Sequence, residues 1–414
     1  MNNPFYTEET MAPRLSALVV NYQSGQYALA CVRSLRLEWA AAGYEPERLE
    51  VIVVDNASPT GQGYWLDVLQ QEGARILVQP HNLGYAGAIQ SAFEASHGGR
   101  NDYVAILNPD LVFLEGSVRE MIRYLEAHPE VGAIAPMSFL DEELQLRLPS
   151  VPVPTAQEEL WSLMARVSTR CARRLAKRRS ERSRKMWSSE LPTETDMLPG
   201  ACLFLSRDVV MGLDCLLDRR YPLYYEDADL CRRLRARGLS LVTHPRAQVV
   251  HHWSRSAGVG SDFDGEPRRR WELSRGSYLE RWTNPIARAG LSVLEWAIER
   301  LPARLRDRRI HRFVQKSPTA KPTEMNLRGP GPWVMEVSMT PTFTLAAGCY
   351  VEGDTWTFPP AAWDWLFKGR YYVRAVHADS GRVCGAWIFN KTTDARQDAV
   401  DVQPPAGAET QEVA

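Results

Sequence analysis

Between residues 15 and 110 the chain alternates short apolar runs with polar loops and helical segments, and few folds accept that pattern. The runs are 15–20 (LSALVV), 49–54 (LEVIVV), 74–78 (ARILV) and 103–107 (YVAIL). Each gives way to polar and small residues: Asn21-Tyr22-Gln23-Ser24-Gly25, Asp55-Asn56-Ala57-Ser58, His81-Asn82-Leu83-Gly84 and Asn108-Pro109-Asp110. Helical spacing follows the first loop over 27–39, where Leu29, Val32, Leu35 and Leu37 are the apolar positions, and recurs at 64–71 and up to Phe93. Continuous apolar runs separated by helices predict an α/β fold, a mostly parallel sheet covered on both faces. The polar loops then follow the C-terminal ends of the strands, where open α/β sheets bind ligands. Asp55, Asn82, Asn108 and Asp110 are expected along one edge. Any one of them alone also reads as a turn former or N-cap. Four such loops in succession point to a nucleotide or sugar-nucleotide crevice. Neither GxxxxGK[ST] nor GxGxxG occurs, so an ATPase loop and a dinucleotide fingerprint are both unsupported.

An amphipathic helix is predicted over 117–128, and strands over 131–139 and 197–205. The stretch Tyr224-Tyr225-Glu226-Asp227-Ala228-Asp229-Leu230 packs three carboxylates into four positions before a helix that stops near Gly238. Acids at a helix N-terminus are held ionised by the unpaired N–H groups and the macrodipole. They are either caps or a placed general base; Asp229 is the expected cap. Short strands over 239–242 and 247–250 end at His251-His252, which read as structural groups as readily as ligands. Helices are expected over 268–283 and 286–300.

Charge is informative only through its distribution, because the net charge is −1. Segment 161–187 holds ten Lys/Arg and one acid. It reads as a solvated or mobile segment, as an amphipathic helix on an anionic surface, or as a nucleic-acid contact for which no binding motif is present. Segment 304–312 is basic again. Residues 317–332 are Pro/Gly-rich and predict a linker. Beyond it, 333–391 shows short alternating runs with turn signals, expected as a small β-sandwich. Five of the 13 tryptophans fall there, as core or as stacking platforms for sugar rings. The polar tail 392–414 is expected to be disordered. Seven scattered cysteines without CxxC argue against a disulfide framework or a zinc site and for a reducing compartment. With no signal-peptide pattern at the N-terminus and no run of roughly 18 apolar residues, the expected location is cytoplasmic.

Taken in order, the loops resemble inverting glycosyltransferases of family 2, and their rhamnosyltransferase-like branch most of all. The matching pieces are Val19-Val20-Asn21-Tyr22-Gln23-Ser24, Val53-Val54-Asp55-Asn56-Ala57-Ser58, Asn82-Leu83-Gly84-Tyr85-Ala86-Gly87, Leu107-Asn108-Pro109-Asp110, Gly200-Ala201-Cys202, Tyr225-Glu226-Asp227-Ala228-Asp229-Leu230 with Arg233, and His251-His252 followed by Ser256. They span roughly residues 15–260.

The resemblance implies a GT-A fold over 1–285 and a nucleoside-diphosphate-sugar donor. It assigns Asn21, Tyr22, Asp55, Asn56, Asn82, Gly84, Asn108 and Gly200 to the donor pocket. It gives Asp110, with His251, a divalent Mg²⁺ or Mn²⁺ on the diphosphate, and makes Asp227 the base with Glu226 beside it. Many members carry Asp-x-Asp around the metal; here the first position is Asn108. The expected reaction moves a sugar, such as L-rhamnose from dTDP-rhamnose, onto a surface polysaccharide or lipid-linked glycan. The alternatives are a nucleotidyltransferase and a non-catalytic glycan-binding protein on a degenerate transferase domain. The basic segment 161–187 and the helices of 286–316 are expected to bring the enzyme to the membrane periphery. The C-terminal module is expected to hold acceptor or to mediate oligomerisation.

Overall fold

A computed structural model of the chain describes residues 13–59, 61–252, 265–306, 310–327 and 329–394. Strand β1 (Leu15–Asn21) is buried throughout, and α1 (Gly25–Ala41) follows it. Then come β2 (Leu49–Asp55), α2 (Gly63–Gln71), β3 (Arg75–Val78), α3 (Gly84–Ala95) and β4 (Tyr103–Leu107). These four strands pair in parallel, with Asn21 opposite Asp55 in the register of β1 and β2. The inner face of α1 carries Tyr27, Leu29, Val32, Leu35 and Trp39. Leu37, expected on that stripe, is 71% exposed, because two residues past Leu35 lies off the buried face.

The sheet continues with β5 (Leu111–Phe113), β6 (Val131–Phe139), β7 (Thr193–Glu194), β8 (Cys202–Ser206) and β9 (Ser240–His251). Its path is β3-β2-β1-β4-β8-β6-β9-β5, with β7 on β9. Strand β8 runs antiparallel to β4 and β6, so the start of β8 adjoins the end of β4. The two strands expected at 239–242 and 247–250 are one. Its register on β6 shifts between Pro136 and Met137, opposite residues 245–247, where Pro245 has no N–H to give the ladder. One face is covered by α1 and α4 (Ser117–Ala127), the other by α3 and α8 (Glu226–Arg235); α7 (Arg207–Met211) follows β8.

The basic segment is not a loose surface stretch. It forms α5 (Ala156–Val167) and α6 (Thr169–Trp187). The apolar stripe of α6, including Ala172, Leu175, Ala176 and Trp187, is buried. Leu163 of α5 packs on Leu291 and Ile298 of α10 (Pro285–Glu299), which follows α9 (Glu266–Trp282). The apolar side therefore closes protein–protein contacts instead of facing an anionic surface, and the cations occupy the remaining faces.

The C-terminal module comprises β10 (Val314–Gln315), β11 (Glu324–Asn326), β12 (Trp333–Ser338), β13 (Ala347–Val351), β14 (Thr355–Thr357), α11 (Pro360–Trp365), β15 (Gly369–His377) and β16 (Val383–Lys391). The expected β-sandwich is one five-stranded sheet, β10-β16-β15-β12-β13, with a separate β11–β14 pair. The expected linker contributes β11, which pairs through Met325 and Trp356, so it belongs to the module. Helix α11 was not legible, being one short turn after Pro359-Pro360. Trp333, Trp356, Trp363, Trp365 and Trp387 are all buried, so they build core and offer no open platform to a sugar ring. The module's core merges with Leu140, Leu146 and Leu148 of the first domain. Arg147 and Gly348 exchange backbone hydrogen bonds of 2.8 and 2.9 Å across the junction. Residues 395–414, most of the expected tail, and Ser256 lie outside the described residues. No described helix is long and apolar enough to cross a membrane.

Candidate active site

The ends of β1 and β2 are locked together by side chains. Asn21, fully buried, donates from Nδ2 to Asp55 Oδ1 (2.8 Å), and its own Oδ1 accepts from the Ser24 N–H (3.0 Å). Ser58 donates its hydroxyl to Asp55 Oδ1 (2.6 Å). Asn56 accepts from the Leu83 N–H (2.8 Å) and donates to Asn82 Oδ1 and the Gly84 carbonyl, both at 3.2 Å. Tyr22 lies half-buried at the rim. Gly84 has φ +74°, and a Cβ there would sit 2.6 Å from the Pro222 carbonyl oxygen. Only glycine fits both the left-handed backbone and that approach. The Pro222 carbonyl in turn accepts from the Tyr85 N–H (3.0 Å), which fixes the loop before α8 onto the start of α3.

That loop delivers the acidic pair. Tyr224 and Tyr225 both have positive φ, 64° and 69°, a conformation that costs energy for aromatic residues and is held here by packing. Tyr225 lies against Tyr278 and Trp271 of α9, and Ser274 accepts from the Leu223 N–H (3.2 Å). Asp227 Oδ2 accepts from the Gly200 N–H (3.0 Å) and Oδ1 from the Ala228 N–H (2.8 Å). A Cβ on Gly200 would stand 2.9 Å from that of Asp227, so the contact needs glycine. Burial pushes the Asp227 carboxyl up, and those amides oppose the shift. Glu226 is pushed well above the ordinary carboxylate range by burial first and by the Asp227 charge second. Its Oε2 is buried without a hydrogen-bond partner among the described residues. The adjacent carboxyls therefore differ: Asp227 has donors that favour the ionised form, and Glu226 favours its proton.

Asp229 is not the cap. Its carboxylate is fully buried and accepts from Arg233 Nε (2.7 Å), Trp282 Nε1 (2.8 Å) and the Tyr221 hydroxyl (3.1 Å), with Arg281 at 3.2 Å. It anchors α8 to α9. Tyr225 occupies the N-cap position, with no side-chain capping bond.

Asp110 and His251 meet because β5 pairs with the end of β9, placing Leu111 opposite His251. Asp110 Oδ1 lies 3.3 Å from His251 Nε2, and Asn108 Nδ2 lies 3.4 Å from that nitrogen. The Asn108 N–H donates to the Ala201 carbonyl (2.7 Å), which carries this corner to Gly200 and Asp227. The described residues contain no group of three or more His, Cys, Asp and Glu able to hold a metal. One carboxylate and one imidazole suit a divalent ion that completes its shell on phosphate oxygens.

Residues 16–207 match the family model "Glycosyl transferase family 2". Residues 16–207 form a family 2 glycosyltransferase domain. The matched span ends before Glu226, Asp227 and His251. Over 260 residues the chain is 28% identical to N-acetylglucosaminyl-diphospho-decaprenol L-rhamnosyltransferase of Mycobacterium tuberculosis, covering 60% of this chain and 79% of that one. Similar solved structures include a Pyrobaculum calidifontis mannosyltransferase in complex with GDP-Man and Mn²⁺ (18% identity, 71% of this chain and 78% of that one, TM-score 0.38). Another is S. aureus TarS 1-349 in complex with UDP-GlcNAc (12% identity, 69% and 71%, TM-score 0.43). The matched family domain is a mixed α/β sheet of GT-A fold, followed by the β-rich region.

Tyr85 and Arg270 received no role from the sequence. The Tyr85 hydroxyl is buried without a hydrogen-bond partner among the described residues. Burial, then the charges of Glu226, Asp227 and Asp110, push it well above its ordinary value. Arg270 of α9 donates to Asn82 Oδ1 (2.7 Å). Tyr85 lies inside the Asn82–Gly87 loop, which carries a signal in the sequence; nothing in the helical spacing of α9 singles out Arg270 among its neighbours.

Proposed function

We propose that this glycosyltransferase moves L-rhamnose from dTDP-rhamnose, with inversion, to a lipid-linked or cell-surface glycan. The observation that carries the reading is the Glu226–Asp227 pair, tied through Gly200 and Ala201 to Asn108, on a loop whose Pro222 holds the Gly84–Tyr85 turn that Asn56 also grips beside Asp55 and Asn21. The relative that acts on a lipid-linked acceptor supports the choice of sugar and acceptor.

In this reading Asn21, Tyr22, Asp55, Asn56, Asn82 and Gly84 receive the nucleoside, and Asn108 and Gly200 line the diphosphate and acceptor side. Asp110 and His251 would hold Mg²⁺ or Mn²⁺, which neutralises charge on the departing diphosphate. Asp227 takes the acceptor hydroxyl proton. The acceptor oxygen bonds to the anomeric carbon as the bond to the diphosphate breaks, and the nucleoside diphosphate leaves. Glu226, protonated, adds no second negative charge beside the base.

Membrane-linked acceptor would meet α10. Ile286, Val293 and Trp296 are exposed there at helical spacing, and the Arg300 guanidinium lies 3.7 Å from the Trp296 ring centre. An apolar stripe flanked by arginine suits an anionic lipid interface at the inner face of the membrane.

The test is transfer from dTDP-rhamnose to a GlcNAc-diphospholipid, beside other nucleoside-diphosphate sugars, with parent and Asp227→Asn enzymes. Transfer by the parent, and loss in the variant, is expected. Activity with a different donor alone would overturn the sugar assignment, and equal rates in both enzymes would remove Asp227 as base. Flotation with anionic liposomes at low salt tests α10: Trp296→Ser should reduce it, and no flotation of the parent would exclude this surface.

A further inference from the structure

One face of α6 carries Arg173, Lys177, Ser180 and Arg184, spaced so that all four line one side of the helix. That face looks across a cavity of about 250 Å³ onto Arg374 of β15 and His311. Four permanent cations converge there, and no carboxylate lines the cavity among the described residues.

Other partners hold the three arginines in place. Arg173 Nε donates to the Ile310 carbonyl (2.9 Å), and Arg184 Nη1 to the Ala378 carbonyl (2.6 Å). Arg374 is buried; its Nε donates to Glu336 Oε2 (2.6 Å), and its Nη1 lies 3.4 Å from His311 Nε2. Ser180 donates its hydroxyl to the other Glu336 oxygen. Glu336 thus answers Arg374, and Glu181 answers Lys177 only at 3.7 Å. Arg184 Nε is buried with no acceptor among the described residues. A solvated charged face would point its cations apart into water. Here four of them line one cavity, a space far larger than one water needs. Cations gathered around one cavity repel, and a multivalent anion relieves that repulsion.

We infer that this cleft between α6 and the C-terminal module is an anion site for a phosphate or diphosphate group, separate from the Asp110–His251 corner. A planar guanidinium fork suits phosphate oxygens, and Arg173, Lys177 and Arg184 supply the charge. The ligand reaches the cleft either as free phosphate chemistry or as a lipid headgroup.

The test is calorimetric titration of the full chain with inorganic pyrophosphate at constant ionic strength. Parent, Arg173→Ala/Lys177→Ala and Asp110→Ala proteins are compared. Arg173 and Lys177 are exposed, so the double variant should keep its melting temperature. Binding weakened on the order of tenfold in the double variant and unchanged in Asp110→Ala supports the site. Binding unchanged in the double variant, or lost only in Asp110→Ala, overturns it. Co-sedimentation with phosphatidylcholine vesicles, with and without phosphatidic acid, separates the sources. Capture that needs phosphatidic acid and both cations assigns a lipid headgroup; pyrophosphate binding without capture assigns the free anion. If neither probe binds, the inference fails.

Discussion

The indole of Trp365 stacks on the imidazole of His252, with ring centroids 3.6 Å apart and planes 26° apart. Trp365 Nε1 also donates to Glu142 (3.0 Å), and the His252 N–H donates to the Asp110 carbonyl (3.1 Å). A residue of the C-terminal module is thereby one contact from the backbone of Asp110 and the strand end that carries His251. The module is part of the support of the site.

Trp365→Ala should therefore act at a distance. Removing a buried Trp costs about 3–5 kcal/mol, seen as a lower denaturation midpoint. Loosening the support of proposed metal ligands typically costs ~10–100-fold in metal affinity or activity, read as the Mn²⁺ concentration for half-maximal rate. Trp365→Phe keeps the stack and loses the Glu142 hydrogen bond, and should fall between the two.

Asp229→Ala should unfold more than it inactivates. The substitution leaves Arg233 and Arg281 without their buried carboxylate. Breaking such a pair from one side costs about 3–5 kcal/mol. Near-parent turnover per folded molecule at low temperature, with a large loss in urea stability, is the expected pattern. A large turnover loss without destabilisation would give Asp229 a chemical role instead.

The raised Glu226 carboxyl has a signed consequence. The folded state holds its proton above the ordinary value of 4.5, where the unfolded state has lost it. Folding then binds protons, and stability falls as pH rises above that value. Glu226→Gln removes this dependence. Its stability relative to the parent should improve as pH rises above about 5, measured by urea unfolding. Asp227→Asn should lower turnover by about 10²–10⁴-fold, the range for loss of a general base.

Glycine substitutions separate two kinds of contact. Gly200→Ala drives a methyl to 2.9 Å from the Asp227 Cβ and must displace that side chain. Turnover should fall, with a stability cost of about 1–3 kcal/mol. Gly84→Ala meets backbone at Pro222 and a positive φ together, so its stability loss should be the larger in a side-by-side thermal melt.

The sequence by itself determined the parallel half of the sheet and its polar edge. Each apolar run is fully local information, and a strand that ends in Asn21 or Asp55 must place it at the C-terminal edge. It also located the acidic stretch at the start of α8, because a helix N-terminus is legible from its own residues. Tertiary structure alone decided the rest. Asp227 and Asp229 differ by two positions in the chain, yet one faces Gly200 and the other is enclosed by Arg233, Tyr221 and Trp282. The basic run of α6 reads as a solvated face until β15 and β16 are set against it. Trp365 becomes a support of the site only because its helix meets the end of β9. Periodicity records which side of an element is apolar. Which surface arrives to cover that side is fixed by packing between segments distant in the chain, and those contacts leave no local pattern.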